Sequence, residues 1–270
     1  MIKEFIDSVG AEKLEETALL WHRPQNGIYI YVNEDKTYKV EKNWQKISFN
    51  SKHRGWDYYS QLVSINKPIA GKLIQSNNYC AFWCRNIAKL KEADIDDYFN
   101  VLHTPEEFEW HRDWIKENIY KLGKIYQGGI VKIFFPNTRE LYRDLGLEYW
   151  RKKCTSVPYN FKNYKSPLSG VPIGYSVNVK KPFQTGRTPF LVTEEEGLQI
   201  KFVYDILKGC IKRGFNEIRA TTTRGLYVTR TCDPLGIDLP PSMLLIIDLN
   251  ERGEVVIKRC EAVPNFRNRL

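Results

Sequence analysis

The chain has 270 residues, 42% of them apolar and 13% aromatic. That is enough buried-type surface to offset chain entropy, which excludes a disordered chain and leaves room for one large domain or two modest ones. Lys and Arg number 41 against 32 Asp and Glu, a formal net charge of +9 that raises phosphate affinity wherever it is clustered. No run approaches the roughly 18 apolar residues of a membrane span. Met1 to Gly10 lacks the cationic start, apolar stretch and cleavage site of a secretory leader, so the sequence reads as cytoplasmic with no membrane partner.

In chain order, Ile2 to Leu20 carries apolar positions near the helical period and predicts two short helices broken at Gly10. Gly27 to Val32 and Thr37 to Val40 flank the polar cluster Asn33-Glu34-Asp35-Lys36 and predict a hairpin. From Ser48 to Asn78 the pattern is irregular, with Gly55, Pro68 and Gly71 among Lys52, His53, Arg54, Lys67 and Lys72, and reads as a basic loop before a buried strand at Tyr79 to Cys84. Asp94 to Leu102 and Glu106 to Leu122 have helical spacing, the second with Thr104 as N-cap and Pro105 at its first position. Ile130 to Phe135 predicts a strand and Thr138 to Lys153 a helix with a cationic C-terminal end. Thr155 to Pro189 holds five prolines and three glycines and reads as a long loop with one strand near Tyr175 to Val179. Thr193 to Arg213 opens with a capping-box pattern, Thr193 and Glu196, and predicts an amphipathic helix. Strands follow at Glu217 to Thr222, Leu226 to Arg230, Leu244 to Leu249 and Val255 to Arg259. The expected fold class is α+β, with mixed short strands and helices and long basic loops. Residues 1–135 form an N-terminal region with a candidate binding loop at 48–78, and residues 136–270 a second unit.

Groups able to do chemistry are few. The six cysteines, Cys80, Cys84, Cys154, Cys210, Cys232 and Cys260, never take the two-residue spacing of zinc knuckles and read as reduced thiols. His103, Glu107 and His111 fall at four-residue steps, but Pro105 leaves His103 outside the helix, so no metal is assigned. No phosphate-cradling glycine loop and no nucleophile elbow occur. The remaining catalytic candidate is Asp248, ending the apolar run from Leu244, a place where Mg²⁺-dependent nucleases hold metal. About 20 residues follow it, few for further ligand-bearing strands, and a turn Asp is ordinary turn chemistry. The chain is therefore read as a non-enzyme without cofactor.

The charge points elsewhere. Residues 137–188 hold ten basic residues against three acidic ones, +7 of the net charge. Basic residues there alternate with rings and amides: Arg151-Lys152-Lys153, then Tyr159 to Lys165 with Lys162 and Lys165, then Lys180-Lys181-Pro182-Phe183, then Arg187. Lys and Arg neutralise phosphates, rings stack on exposed bases and Asn reads base edges, so this segment is expected to contact nucleic-acid backbone. The bland alternative is a solvated loop whose charge aids solubility.

At Asp57-Tyr58-Tyr59-Ser60, Asn66-Lys67-Pro68-Ile69 and Ser76-Asn77-Asn78-Tyr79, the chain resembles the large subunit of type I-B CRISPR Cascade complexes. The likeness continues at Lys180-Lys181-Pro182-Phe183 and at Arg187-Thr188-Pro189-Phe190-Leu191-Val192 before a helix, and covers roughly residues 55 to 210. The resemblance implies a non-catalytic subunit of an RNA-guided antiviral surveillance complex. Such a subunit contacts the 5′ handle of the guide RNA and checks the protospacer-adjacent motif on double-stranded target DNA. Its partners are the handle-binding and backbone subunits and a recruited helicase-nuclease that performs cleavage. Under it, motif reading falls to Lys67, Lys72, Gln75, Asn77 and Asn78, since amides offer donor and acceptor to a base edge and Lys anchors a phosphate. The alternative for Asn77 and Asn78 is a turn-shaping role. Backbone contacts fall to Arg151, Lys152, Lys153, Lys162, Lys165, Lys180, Lys181 and Arg187. Large subunits of this type carry a C-terminal helical bundle and nothing after Arg213 reads as one, so the likeness is to a short form. Two other readings stand beside it: the Asp248 nuclease and a scaffold that contacts only proteins.

Overall fold

The computed structural model describes residues 2–48, 50–62, 68–125, 129–155, 171–173, 190–192, 194–221, 225–229, 242–249, 251 and 255–263. Its helices are α1 (Ile2–Val9), α2 (Leu14–Trp21), α3 (Ser51–Tyr59), α4 (Glu92–Val101), α5 (Glu109–Ile125), α6 (Arg139–Thr155) and α7 (Glu194–Lys212). Its strands are β1 (Ile28–Val32), β2 (Tyr38–Glu41), β3 (Ala81–Cys84), β4 (Val131–Phe134), β5 (Val171–Ile173), β6 (Phe190–Val192), β7 (Glu217–Thr221), β8 (Gly225–Thr229), β9 (Ser242–Leu249) and β10 (Val255–Val263). This is an α+β fold. Backbone proximity groups β1 through α6 into one compact unit and α1, α2 and the elements from β5 onward into another. The boundary read from the sequence at 135/136 falls inside the first of these, between β4 and α6.

In the β1–α6 unit, the turn after β1 is held by Asp35, which accepts from the Thr37 backbone N–H (3.0 Å), and Lys36 takes a positive φ of 65°. β1 pairs antiparallel with β2 and parallel with β4, and β4 pairs antiparallel with β3. The order β2-β1-β4-β3 puts β4 inside the sheet with every residue buried, as its apolar run demands. One face carries Tyr29, Tyr31, Trp83, Lys132 and Phe134, met from α3 and α6 by Trp56, Asp57 and Tyr142. The other carries Phe82, met by Tyr98 and Phe99 of α4, and leads into Phe135, met by His111 and Trp114 of α5.

Where the sequence reads a loop from Ser48, the structure has the helix α3. Asn50 caps it, accepting from His53 N (2.7 Å), and its second half, Gly55 to Tyr59, is buried. The glycine that read as a loop signal serves packing instead. A Cβ at Gly55 would stand 2.6 Å from Arg139 Cγ on α6, and one at Gly146 of α6 would stand 2.5 Å from the Tyr59 carbonyl oxygen. Two small residues thus let α3 and α6 lie close. A second difference concerns Thr104, whose hydroxyl donates back to the Phe99 carbonyl of α4 (2.9 Å) while a single 3₁₀ turn, Glu106–Phe108, leads into α5.

The centre of the sheet holds a cation. Lys132 lies between Tyr29 on β1 and Trp83 on β3, its register partners, and its Nζ stands 4.6 Å and 3.9 Å from their ring centroids. Nζ donates to Asp57 Oδ1 on α3 (2.8 Å) and to the Tyr29 hydroxyl (2.9 Å). The Tyr29 hydroxyl in turn donates to the Gln25 carbonyl (3.0 Å). Lys132 and Asp57 are 1% and 0% exposed, so neither charge is hydrated and each depends on the other. Burial lowers the Lys132 pKa, and the Asp57 carboxylate opposes that shift.

In the other unit, α1 and α2 are separated at Gly10, whose φ of 91° suits glycine and ends the first helix as its sequence predicts. α7 buries Ile200, Val203, Ile206, Leu207 and Cys210 and approaches α2 at Gly209, where a Cβ would stand 2.7 Å from the Trp21 carbonyl oxygen. Arg213 donates to the Leu20 carbonyl (2.8 Å) and lies over the Trp21 ring at 4.2 Å, satisfying the end of α2. The sheet order is β10-β9-β7-β8, all antiparallel, with a register shift between Ile257 and Arg259. β5 and β6 form a separate antiparallel pair. The predicted strand at Tyr175 to Val179 and the Thr193 cap lie outside the described residues.

Removing one member of the buried pair strands the other charge. Lys132→Met is expected to lower the free energy of unfolding by about 3–5 kcal/mol, and the double variant Lys132→Met/Asp57→Leu to recover most of it, by urea denaturation. A single variant as stable as the parent would show that the pair contributes nothing.

Candidate nucleic-acid interface

The segment expected to read bases is largely internal. Gln75, Asn77 and Asn78 are buried, at 7%, 3% and 2% exposure. Asn77 Nδ2 donates to the Tyr59 and Gln61 carbonyls (2.8 and 2.9 Å). Asn78 Nδ2 donates to Ser60 Oγ (3.0 Å) and to Asn77 Oδ1 (2.8 Å), while its own Oδ1 accepts from Cys80 N (3.0 Å). The two amides therefore satisfy backbone groups where the chain leaves α3 and enters β3, the turn-shaping alternative, and present no free edge to a base. Ser76 is drawn in the same way, its Oγ accepting from Trp83 N (3.1 Å) and lying 2.7 Å from the Tyr98 hydroxyl. Lys72 alone of the described members of this set is exposed, and Lys67 lies outside the described residues.

Of the residues expected on nucleic-acid backbone, Arg151 and Lys152 are exposed on the last turns of α6, where Lys152 pairs with Glu148 one turn back (2.6 Å). Lys153 follows on the same helix. Lys162, Lys165, Lys180, Lys181 and Arg187 lie outside the described residues. Thr138 caps the other end of α6, accepting from Leu141 N (3.1 Å), and Arg139 and Arg143 occupy its first turns.

The structure also brings basic residues of separate stretches toward the start of α3. Lys52, His53 and Arg54 form the first turn of α3, a turn without an acidic residue. Lys52 Nζ lies 5.0 Å from the Trp56 ring centroid, and the His53 ring stacks on Tyr31 at 4.1 Å. Burial lowers the His53 pKa, and the positive charges of Lys52 and of Lys39 on β2 lower it further. Burial lowers the Arg54 pKa, and the positive charge of Arg23 lowers it further. Arg139 crosses at Gly55. The basic triplet after an Asn cap was the one signal available in the sequence; the partners from β2, α6 and the segment before β1 come only through folding.

No family model matches the chain, and no curated protein or solved structure is significantly similar to it.

Reactive groups are arranged for structure. His111 is 1% exposed, stacked on Phe135 at 4.0 Å, with Nδ1 2.8 Å from the Tyr79 carbonyl, whereas His103 is exposed at a φ of 49°. Asp248 is exposed on β9, accepting from Leu249 N (2.8 Å) with Lys258 Nζ 3.9 Å away. Among the described residues no group of three or more His, Cys, Asp and Glu side chains could hold a metal ion. Cys80, Cys84 and Cys210 are buried free thiols, and burial pushes Cys84 up to about 11, away from thiolate chemistry at neutral pH. Among the described residues no helix is long and apolar enough to cross a membrane.

Two expectations follow. Asn77→Ala removes one donor from each of the buried Tyr59 and Gln61 carbonyls and should cost about 1–3 kcal/mol of stability, read from thermal melts. Burial lowers the His111 pKa to about 4 from an ordinary 6.5, so between these values the unfolded chain takes up a proton that the native one refuses. Stability from this group is complete above pH 6.5 and lost as pH falls toward 4, by about 3 kcal/mol. Subtracting the pH profile of His111→Phe from that of the parent isolates this loss, and coincident profiles would refute it.

Proposed function

We propose that this chain is a non-catalytic, nucleic-acid-contacting subunit of an RNA-guided CRISPR surveillance complex of the type I-B kind. One observation carries the nucleic-acid part: the exposed cationic end of α6, with Arg151 and Lys152, lies within the stretch of residues 137–188 that holds +7 of a net +9. Charge gathered this way binds polyphosphate by releasing condensed counterions, so affinity falls steeply with salt. The surveillance part rests on the sequence resemblance alone.

In this reading the protein holds phosphates on duplex DNA and on the guide while base pairing reads the sequence. Recognition of the short protospacer-adjacent motif excludes the amides of Asn77 and Asn78, which are committed inside the fold, and leaves Lys72 as the exposed side chain of that segment. Cleavage belongs to a recruited partner, and the handle-binding and backbone subunits are the neighbours to seek.

Two measurements test the reading. Copurification of the tagged chain with the products of its neighbouring genes should bring down short RNAs with uniform repeat-derived 5′ ends. An RNA-free chain that binds duplex DNA without motif preference would overturn it. Arg151→Glu/Lys152→Glu should weaken duplex binding at low salt and flatten the dependence of log K on log salt by about 1–2.

A further inference from the structure

Six basic side chains of the β1–α6 unit, Lys72, Arg85, Lys89, Lys91, Lys121 and Lys124, are exposed and come from three stretches of sequence. Contacts between those stretches bring them together. Arg85 N donates to the Leu73 carbonyl (2.9 Å), which sets Lys72 beside the end of β3. A Cβ at Gly71 would stand 3.1 Å from Asp94 Cβ, and Asp94 Oδ2 accepts from the Lys91 N–H at the start of α4 (3.0 Å). The Tyr120 hydroxyl of α5 donates to the Leu90 carbonyl, between Lys89 and Lys91 (3.3 Å). A Cβ at Gly123 would stand 2.6 Å from Ile87 Cγ2, so the end of α5 that carries Lys121 and Lys124 lies against the 3₁₀ turn Ile87–Lys89.

Other cations of the same helices have carboxylate partners. Arg112 and Lys116 of α5 reach Asp96 of α4 at 3.8 and 2.5 Å, and Arg112 also pairs with Glu109. Among the described residues none of the six forms an ion pair. The acids interspersed with them are Glu92, Asp94 and Glu117, and Asp94 is committed to the Lys91 N–H. The helix dipole accounts for Lys124 in the last turn of α5, where a cation is stabilising, but not for Lys91 at the N-cap of α4, where it is not. Unpaired charge of one sign on rigid elements raises the local concentration of a polyanion.

The rings of these stretches point to the kind of polyanion. A single strand is held by rings that stack on its open bases, whereas a duplex hides its bases and offers phosphates. Phe82, Trp83, Tyr98 and Phe99 are buried, and Tyr120 is half-buried with its hydroxyl committed. The surface thus offers cations without a stacking platform. It is also distinct from the cationic end of α6: α6 packs on the sheet face of Trp56, and α4 on the face of Phe82.

We propose that Lys72, Arg85, Lys89, Lys91, Lys121 and Lys124 form a docking surface for the phosphodiester backbone of a nucleic-acid duplex. It rests on the nucleic-acid reading above and adds a second contact to it, one that includes the exposed side chain of the segment expected to read the motif. Each phosphate engaged adds affinity and salt dependence without sequence preference, which gives the surface a holding role.

The test is fluorescence anisotropy with a labelled DNA duplex and a labelled single-stranded RNA of mixed sequence, from about 50 to 300 mM salt. The full chain is compared with two independent variants, Lys72→Gln/Arg85→Gln beside β3 and Lys121→Gln/Lys124→Gln on α5. Each should bind the duplex about tenfold more weakly at the lowest salt and flatten the slope of log K against log salt by about 1–2, with its melting temperature unchanged. A loss confined to the single strand overturns the proposal. If the parent binds the duplex and either variant keeps its affinity and slope, the six residues are not one interface and the proposal falls alone. If the parent binds neither probe, the nucleic-acid reading falls with it.

Discussion

The β1–α6 unit is organised around one electrostatic demand: an ammonium group in the interior strand of its sheet must be neutralised by a carboxylate from a helix. Lys132 cannot reach water, and its Nζ finds Asp57 and the Tyr29 hydroxyl at 2.8 and 2.9 Å. Desolvating two ions costs several kcal/mol each, and their mutual attraction offsets this only in good geometry. Sheet and helix are therefore coupled. Strands β1, β4 and β3 supply the rings that flank the cation, Gly27 lets the start of β1 lie close to the Ile130 carbonyl, and α3 brings the counter-charge. A sheet assembled without α3 would leave an unpaired cation between Tyr29 and Trp83. The pair ties α3 to the sheet through one contact between Lys132 and Asp57.

That placement is continued by hydrogen bonds and shape. Asn77 and Asn78 reach back to the end of α3, so the helix is fastened by Asp57 in its second half and by two amides at its exit. Gly55 and Gly146 then permit α6 to close against it. With α3 located this firmly, its first turn has one place to be, and Lys52, His53 and Arg54 come to lie beside Arg139 on α6 and Lys39 on β2. The same helix thus carries a buried ion pair in its second half and the basic triplet Lys52, His53 and Arg54 in its first turn.

The proposed function uses the positive charge gathered in residues 137–188 in the way physics favours for non-catalytic recognition of nucleic acid. Phosphate contacts set affinity and orientation, and base identity is left to pairing with a guide. The amides that looked suited to base reading are instead part of the scaffold. This is the general hazard of inferring binding from residue type, because Asn is equally suited to capping and to recognition, and only its neighbours show which role it has.

Much of the secondary structure is legible from local pattern. The break at Gly10, the hairpin around Asp35, the buried strand at Val131 to Phe134, and the helices α4, α5, α6 and α7 follow from periodicity, caps and turn residues, which act over a few positions. The helix α3 was hidden because its glycine and its charged start imitate a loop, and because its apolar face includes an Asp whose burial makes sense only with Lys132, 75 residues away. The sequence by itself determined the α+β class, the excess of positive charge and the scarcity of reactive groups, since these depend on composition and short-range spacing. Only the tertiary structure decided that Asn77 and Asn78 face inward, that Lys132 is an interior cation, and that Arg139 of α6 lies against Gly55 of α3. Burial and charge proximity are set by contacts between distant segments, and no local pattern encodes which distant segment will arrive.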